Sequence, residues 1–133
     1  KMNNFIKKNK LTKNVKIINF QKNPYKFIVK SNLFILTSLY EGLPNVLLEA
    51  LTLKKFVISS NCPTGPKEIL KNGKLGMLFP PKNSQILVKK IIDFKDNQKK
   101  YSIITNHAFK SLKRFDYNHN CKKYYQLIRK HID

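Results

Sequence analysis

The run Leu33-Phe34-Ile35-Leu36-Thr37, with the stretch that follows it, constrains this chain more than any other part of it. A short apolar run bounded by turn residues reads as a buried strand. Ser38 to Pro44 is then a loop. Asn45 to Leu53 is a helix, apolar nearly all round through Val46, Leu47, Leu48, Ala50, Leu51 and Leu53, and helices of that pattern are buried. Pro44 with Asn45 makes a helix entry, because Asn can accept from the first free N–H groups. A strand, a tight loop containing Gly42 and a helix N-terminus together favour an anion, since loop amides and the helix dipole both point positive charge there.

Two carboxylates, Glu41 and Glu49, stand eight residues apart across this loop and helix. Helical side chains lean toward the N-terminus, so both are expected to face one pocket at the carboxyl end of the strand. Glu49 has Asn45 and Leu53 four residues away on either side, and therefore no helical Lys or Arg partner. A buried carboxylate without a partner is costly, which makes a ligand hydroxyl a candidate partner. The alternative is plain capping, in which both acids simply complement the helix dipole. The chain has only three Glu residues, and Glu41, Glu49 and Glu68 all fall between positions 41 and 68. That clustering in a Lys-rich chain favours a site.

The other segments alternate strand and helix. Lys1 to Leu11 reads as the end of a helix, Val15 to Phe20 as a short strand, and Pro24 to Ser31 as a short helix opened by Pro. Phe56 to Ser60 is a third strand and Asn61 to Gly65 a loop. Pro66 opens a short helix stopped at Asn72-Gly73. Leu75 to Phe79 is a last strand, closed by Pro80-Pro81, and a helical period starts at Asn83. Two further stripes, Tyr101, Ile104, Ala108, Leu112, Phe115 and Tyr117, Cys121, Tyr124, Tyr125, Ile128, Ile132, are expected to be core faces of two more helices, with membrane-binding faces as the alternative. The pattern is α/β with a mainly parallel sheet flanked by helices, one domain over 133 residues with residues 96–133 as a helical extension of it.

The net charge of +20 raises nucleic acid as a partner. Against it, 25 of the 27 basic residues are Lys, with only Arg114 and Arg129 carrying the planar fork suited to base edges. The lysines are also spread along the whole chain, which fits a solvated face or peripheral contact with an anionic membrane. The apolar runs are far too short for a spanning helix or a signal-peptide core. Cys62 and Cys121 stand alone, pointing to a reducing compartment. His107, His119 and His131 match no metal-ligand spacing and are expected at the surface; no metal or cofactor is expected. Opening at Lys1 rather than Met, the chain is expected to be a fragment.

Leu39-Tyr40-Glu41-Gly42-Leu43-Pro44-Asn45-Val46 through Glu49, taken in order with Asn23-Pro24-Tyr25, Asn61-Cys62-Pro63-Thr64-Gly65-Pro66-Lys67-Glu68 and Gly76-Met77-Leu78-Phe79-Pro80, resembles the Glu-x7-Glu region of group 1 (family 4) retaining glycosyltransferases. Those enzymes have two Rossmann-like domains, and the likeness covers roughly residues 14 to 95 of the donor-binding C-terminal one. It implies transfer of a sugar from a nucleotide-sugar to a glycan or lipid-linked acceptor with retention, in cell-surface polysaccharide or glycolipid synthesis. A cytoplasmic location follows, peripheral on the inner membrane face. Carried over by motif, Glu41 is the candidate catalytic residue and holds the donor sugar with the amides of Gly42 and Leu43. Glu49 takes the ribose hydroxyls, while the amides of Asn45 and Val46 face the diphosphate. Phe20 and Gln21 are candidate base contacts, with a core position the alternative for Phe20, and Asn19 replaces a Gly in what should be a left-handed turn. Lys54 stands where many relatives end the long helix with Gly. The first two strands of the half and the N-terminal acceptor domain are expected to be missing, leaving these residues inactive alone. A non-catalytic sugar-nucleotide-binding or membrane-docking remnant is the alternative, with a basic nucleic-acid-binding domain behind it.

Overall fold

A computed structural model describes residues 1–132. Its middle strand, β2 (Phe56–Ser60), is buried along its whole length. On one side lies β1 (Leu33–Leu36) and on the other β3 (Met77–Phe79), giving the order β1-β2-β3 with both pairs parallel. Parallel strands need crossovers, supplied here by α3 (Asn45–Thr52) and the single turn α4 (Pro66–Ile69). The remaining elements are α1 (Met2–Lys8), α2 (Tyr25–Lys30), α5 (Ser84–Asp96), α6 (Gln98–Ser111), a 3-10 turn (Leu112–Phe115) and α7 (Tyr117–Ile132). No helix among the described residues is long and apolar enough to cross a membrane.

Successive side chains of a strand point to opposite faces, and both faces of this sheet are covered. Phe34, Leu36 and Val57 pack with Ile28, Leu47, Ala50, Leu51, Ile69, Leu70 and Ala108. Leu33, Ile35, Phe56 and Ile58 pack with Met77, Phe79, Tyr101 and the inner faces of α5 and α6. Phe56, Phe94 and Tyr101 form the aromatic centre of this second layer, with Phe56 stacked on Phe94 at 5.2 Å. The stripe from Tyr101 to Phe115 is thus a core face, as its spacing requires.

Four local expectations are corrected. Val15 to Phe20 is not a strand: no backbone hydrogen bond joins residues 16–20 to the sheet, and Val15, Ile17 and Ile18 remain 42–43% exposed. A strand exists only within a ladder, and the outer edge of β1, which is half-buried rather than buried, has no paired strand among the described residues. Asn19 accordingly has no left-handed turn to form. The stripe on α7 is not a core face, because no residue of that helix is buried and Tyr117 and Ile132 are 78% and 77% exposed. Its main neighbour is the 3-10 turn preceding it. Asn45 is the first helical residue and not the cap: Pro44 takes that place, with no side-chain bond. Finally, α4 stops at Ile69, and the chain turns through Lys71, Asn72 and Gly73, all at positive φ.

Lys54 has φ 53° and closes α3 as Gly would. Its N–H bonds to Leu51 O at 3.0 Å, and that of Lys55 to Ala50 O at 2.9 Å, which is the Schellman pattern.

Candidate functional site

Because all three strands run the same way, the loops after them gather at one end of the sheet, where open α/β folds bind ligands. Three contacts weld the loop after β1 to the end of β2 and the loop that follows it. The Ser60 hydroxyl donates to Ser38 O at 2.5 Å. Thr64 Oγ1 donates to Glu41 O. Gly65, at φ 78° and ψ −71°, lies so close that a Cβ on it would sit 2.1 Å from Gly42 O and 2.5 Å from Pro44 Cδ. Only a residue without a side chain fits there, so Gly65 fixes the path of the 41–44 loop.

That path leaves a row of free donors. The amides of Gly42, Leu43, Asn45 and Val46 have no acceptor among the described residues, while the next one, Leu47 N–H, bonds to Pro44 O at 2.9 Å. Unpaired amides at the start of α3 carry the positive end of the helix dipole. Gly42 is exposed, and a Cβ added to it would meet nothing within 4 Å. The space over this backbone is therefore open, and a ligand can approach it directly.

Along the chain the two sequence-selected carboxylates flank these amides, Glu41 just before them and Glu49 on the second turn of α3. Glu41 is half-buried in the loop, and no donor or cation among the described residues reaches its carboxylate. Glu49 is half-buried on α3, and its Oε1 accepts from the Tyr25 hydroxyl at 3.4 Å. It lines a groove of about 490 Å³ with Tyr25, Asn45, Leu48, Thr52 and Leu53, which does not include Glu41. Phe20 is 90% exposed, so a core role for it is ruled out, and Gln21 bonds back to the carbonyls of Asn19 and Phe20. His107, His119 and His131 are all exposed, as is Cys121, whereas Cys62 is buried.

Three participants escaped the sequence reading: Tyr25 as a partner of Glu49, Gly65 as the spacer between loops, and Arg114. The last donates from Nη2 to Ile69 O at 2.5 Å and lies 4.6 Å from the Phe115 ring, tying α4 to the 3-10 turn. Burial pushes its pKa down, opposed by the charge of Glu68. Of these, only Gly65 left a local trace, in the Gly-Pro pair that marks a turn.

Comparison with known proteins gives the family and the fold. A family model described as glycosyl transferases group 1 matches residues 1–111. An uncharacterised glycosyltransferase of Methanocaldococcus jannaschii is 51% identical over 70 residues, covering 53% of this chain and 17% of that protein. The N-acetylgalactosamine-N,N'-diacetylbacillosaminyl-diphospho-undecaprenol 4-alpha-N-acetylgalactosaminyltransferase of Campylobacter jejuni is 28% identical over 111 residues, covering 84% of this chain and 30% of that one. Among solved structures, Anabaena HepE in complex with UDP superposes with a TM-score of 0.87 at 23% identity, over 97% of this chain and 36% of its own. The C-terminal domain of the group 1 protein LpcC from Francisella tularensis gives 0.73 at 22% identity, over 85% of this chain and 59% of its own. The chain therefore spans less than a third of the length of those two curated relatives.

Proposed function

The chain belongs to the group 1 glycosyl transferases, and from that premise we propose that it is the donor-binding half of a retaining enzyme that moves a sugar from a nucleotide-sugar to a glycan or lipid-linked acceptor. The observation that carries this reading is the row of unpaired amides at Gly42, Leu43, Asn45 and Val46, in the loop after β1 and at the start of α3, with half-buried Glu41 just before them in the chain and half-buried Glu49 on the second turn of the helix. As the glycosidic bond breaks, negative charge grows on the nucleoside diphosphate. Preorganised amides at the helix start stabilise charge that develops there without having to reorient. Glu41, with the amides of Gly42 and Leu43, holds the sugar hydroxyls and sets the orientation of the reacting carbon. Glu49 accepts from the ribose hydroxyls, the task an acid performs in dinucleotide-binding folds. Phe20 and Gln21 flank the nucleobase. Neither carboxylate is the attacking nucleophile.

In this reading residues 1–133 are one incomplete nucleotide-sugar-binding domain, and 96–133 its helical extension. An N-terminal half supplies the acceptor site, so these residues alone bind donor but do not turn over. The Campylobacter relative is named for a diphospho-undecaprenol acceptor, which supports a lipid-linked acceptor here and a cytoplasmic enzyme held peripherally on an anionic membrane. Glycan assembly for the cell surface is the matching role.

Glu41→Gln and Glu49→Gln test the site. If both acids are only caps, each variant loses up to about 1 kcal/mol of stability and keeps its ligand affinity. If Glu49 holds the ribose, removing bonds worth roughly 1.5–3 kcal/mol weakens nucleoside diphosphate binding about 10- to 150-fold. Glu41→Gln spares diphosphate affinity and lowers kcat with the sugar donor in the complete enzyme. Wild-type affinity and turnover in both variants would refute the assignment.

A further inference from the structure

Glu49 has one partner among the described residues, and its position relative to that partner points to more than structural support. Tyr25 opens α2, where Pro24 forms the cap and Asn23 Oδ1 accepts from the Tyr25 N–H at 3.1 Å. One turn later Ile28 is buried in the same cluster as Leu47, Ala50 and Leu51 of α3. Packing thus fixes α2 against α3, and with it the Tyr25 ring against the groove that Glu49 lines. The hydroxyl reaches Glu49 Oε1 at 3.4 Å, longer than the roughly 2.5–3.0 Å of a well-formed O–H···O bond. Among the described residues the carboxylate has no other partner. A half-buried carboxylate held so loosely retains most of its accepting capacity, and hydrogen bonds of this kind tighten when a ligand arrives.

We propose that Tyr25 is a positioning residue of the donor site: its hydroxyl orients the Glu49 carboxylate so that both oxygens receive the cis-diol of the donor's ribose, and its ring walls the groove beside that ribose. A cis-diol supplies two donors about one carboxylate width apart, the number that Glu49 can accept while Tyr25 keeps its own bond. The pair therefore selects ribonucleotides over 2′-deoxyribonucleotides. This rests on the donor-site assignment of Glu49 above, and the test separates the two.

UDP and 2′-deoxy-UDP are titrated calorimetrically into the wild-type protein, Tyr25→Phe and Glu49→Gln, with GDP and ADP alongside to identify the preferred base. The expected result is that Tyr25→Phe binds UDP about tenfold more weakly, near the low end for a hydrogen bond to a charged group. Its affinity for 2′-deoxy-UDP should change much less, so the preference for ribose narrows while the melting temperature holds. Loss of stability alone would not produce that selective narrowing. If Glu49→Gln loses affinity while Tyr25→Phe matches wild type on both nucleotides, the role of Tyr25 is overturned and the ribose site stands. If Glu49→Gln leaves every nucleotide unaffected, the ribose site falls and the role of Tyr25 falls with it.

Discussion

Gly65→Ala puts the loop architecture under the most direct strain. The new methyl carbon would lie 2.1 Å from Gly42 O and 2.5 Å from Pro44 Cδ, where ordinary contacts begin more than 1 Å further out. Both obstacles belong to the backbone or to a proline ring, so no side chain can swing aside. The backbone angles of Gly65, φ 78° and ψ −71°, also lie close to the rare, strained γ-turn geometry, and positive φ costs an L-residue about 1–2 kcal/mol. Overpacking adds about 1–3 kcal/mol, for a total of roughly 2–5 kcal/mol if nothing moves. For a chain of this size that lowers the melting temperature by about 6–20 °C. Relief is available only if the 41–44 loop retreats by about an ångström, and that displaces the amides of Gly42 and Leu43 from the ligand. Gly42→Ala is the control. Its Cβ meets nothing, so its stability should stay within about 0.5 kcal/mol of wild type, yet the methyl occupies the space a ligand needs. Thermal denaturation and nucleotide calorimetry on both variants decide the matter. A Gly65→Ala protein with wild-type melting and affinity would refute the loop contact, and a Gly42→Ala protein with undiminished affinity would place the ligand elsewhere.

Two further outcomes follow from the charge distribution. Burial, then the Asp93 bond, pushes the Tyr101 hydroxyl up to about 12. Its folded pKa lies above the ordinary 10.0, so its contribution to stability is complete below pH 10 and is lost as pH rises toward 12. Denaturant midpoints from pH 8 to 12 should therefore fall more steeply for wild type than for Tyr101→Phe, and parallel curves would count against this. Lys67, Lys71 and Lys74 line one cleft of about 680 Å³ beside the Thr64-Gly65 loop, and Glu68, the acid in that cleft, interacts electrostatically with Arg114. At about 1 kcal/mol per basic residue near an anionic surface, replacing all three with Gln should weaken binding to phosphatidylglycerol vesicles roughly 100-fold at low salt. Equal sedimentation of wild type with neutral and anionic vesicles would dispose of the membrane reading.

What could be read from the sequence was what residues a few positions apart decide. The short apolar run located β1, the all-apolar pattern α3 and the 3.6-period stripe α6, because in each the neighbours along the chain are also neighbours in the core. Asn83 was recognisable as the start of α5, and its side chain does accept from Ile86 N–H at 2.9 Å, three residues on. Lys54 shows the limit of residue preference: a Lys at φ 53° is held there by two carbonyl bonds and by packing of its ammonium 4.9 Å from the Phe109 ring.

The misreadings share a cause of the opposite kind. Val15 to Phe20 has a strand's residues and lacks a strand's neighbour, and backbone pairing cannot be inferred from the segment that needs it. The α7 stripe has a core helix's spacing, but amphipathic spacing states only that one face is apolar, not that this chain covers it. The site obeys the same division. Glu41 and Glu49 were visible because a loop and one helix turn join them, and Gly42 because glycine marks tight backbone. Tyr25 lies 24 residues from Glu49, Thr64 lies 23 from Glu41, and Arg114 lies 45 from Ile69. The first comes from packing of α2 on α3, the second from the meeting of the loops after β1 and β2, and the third from the 3-10 turn lying against the end of α4. In such a fold a local motif can name candidate ligand residues, while the tertiary contacts that hold the motif come from segments far away in the chain.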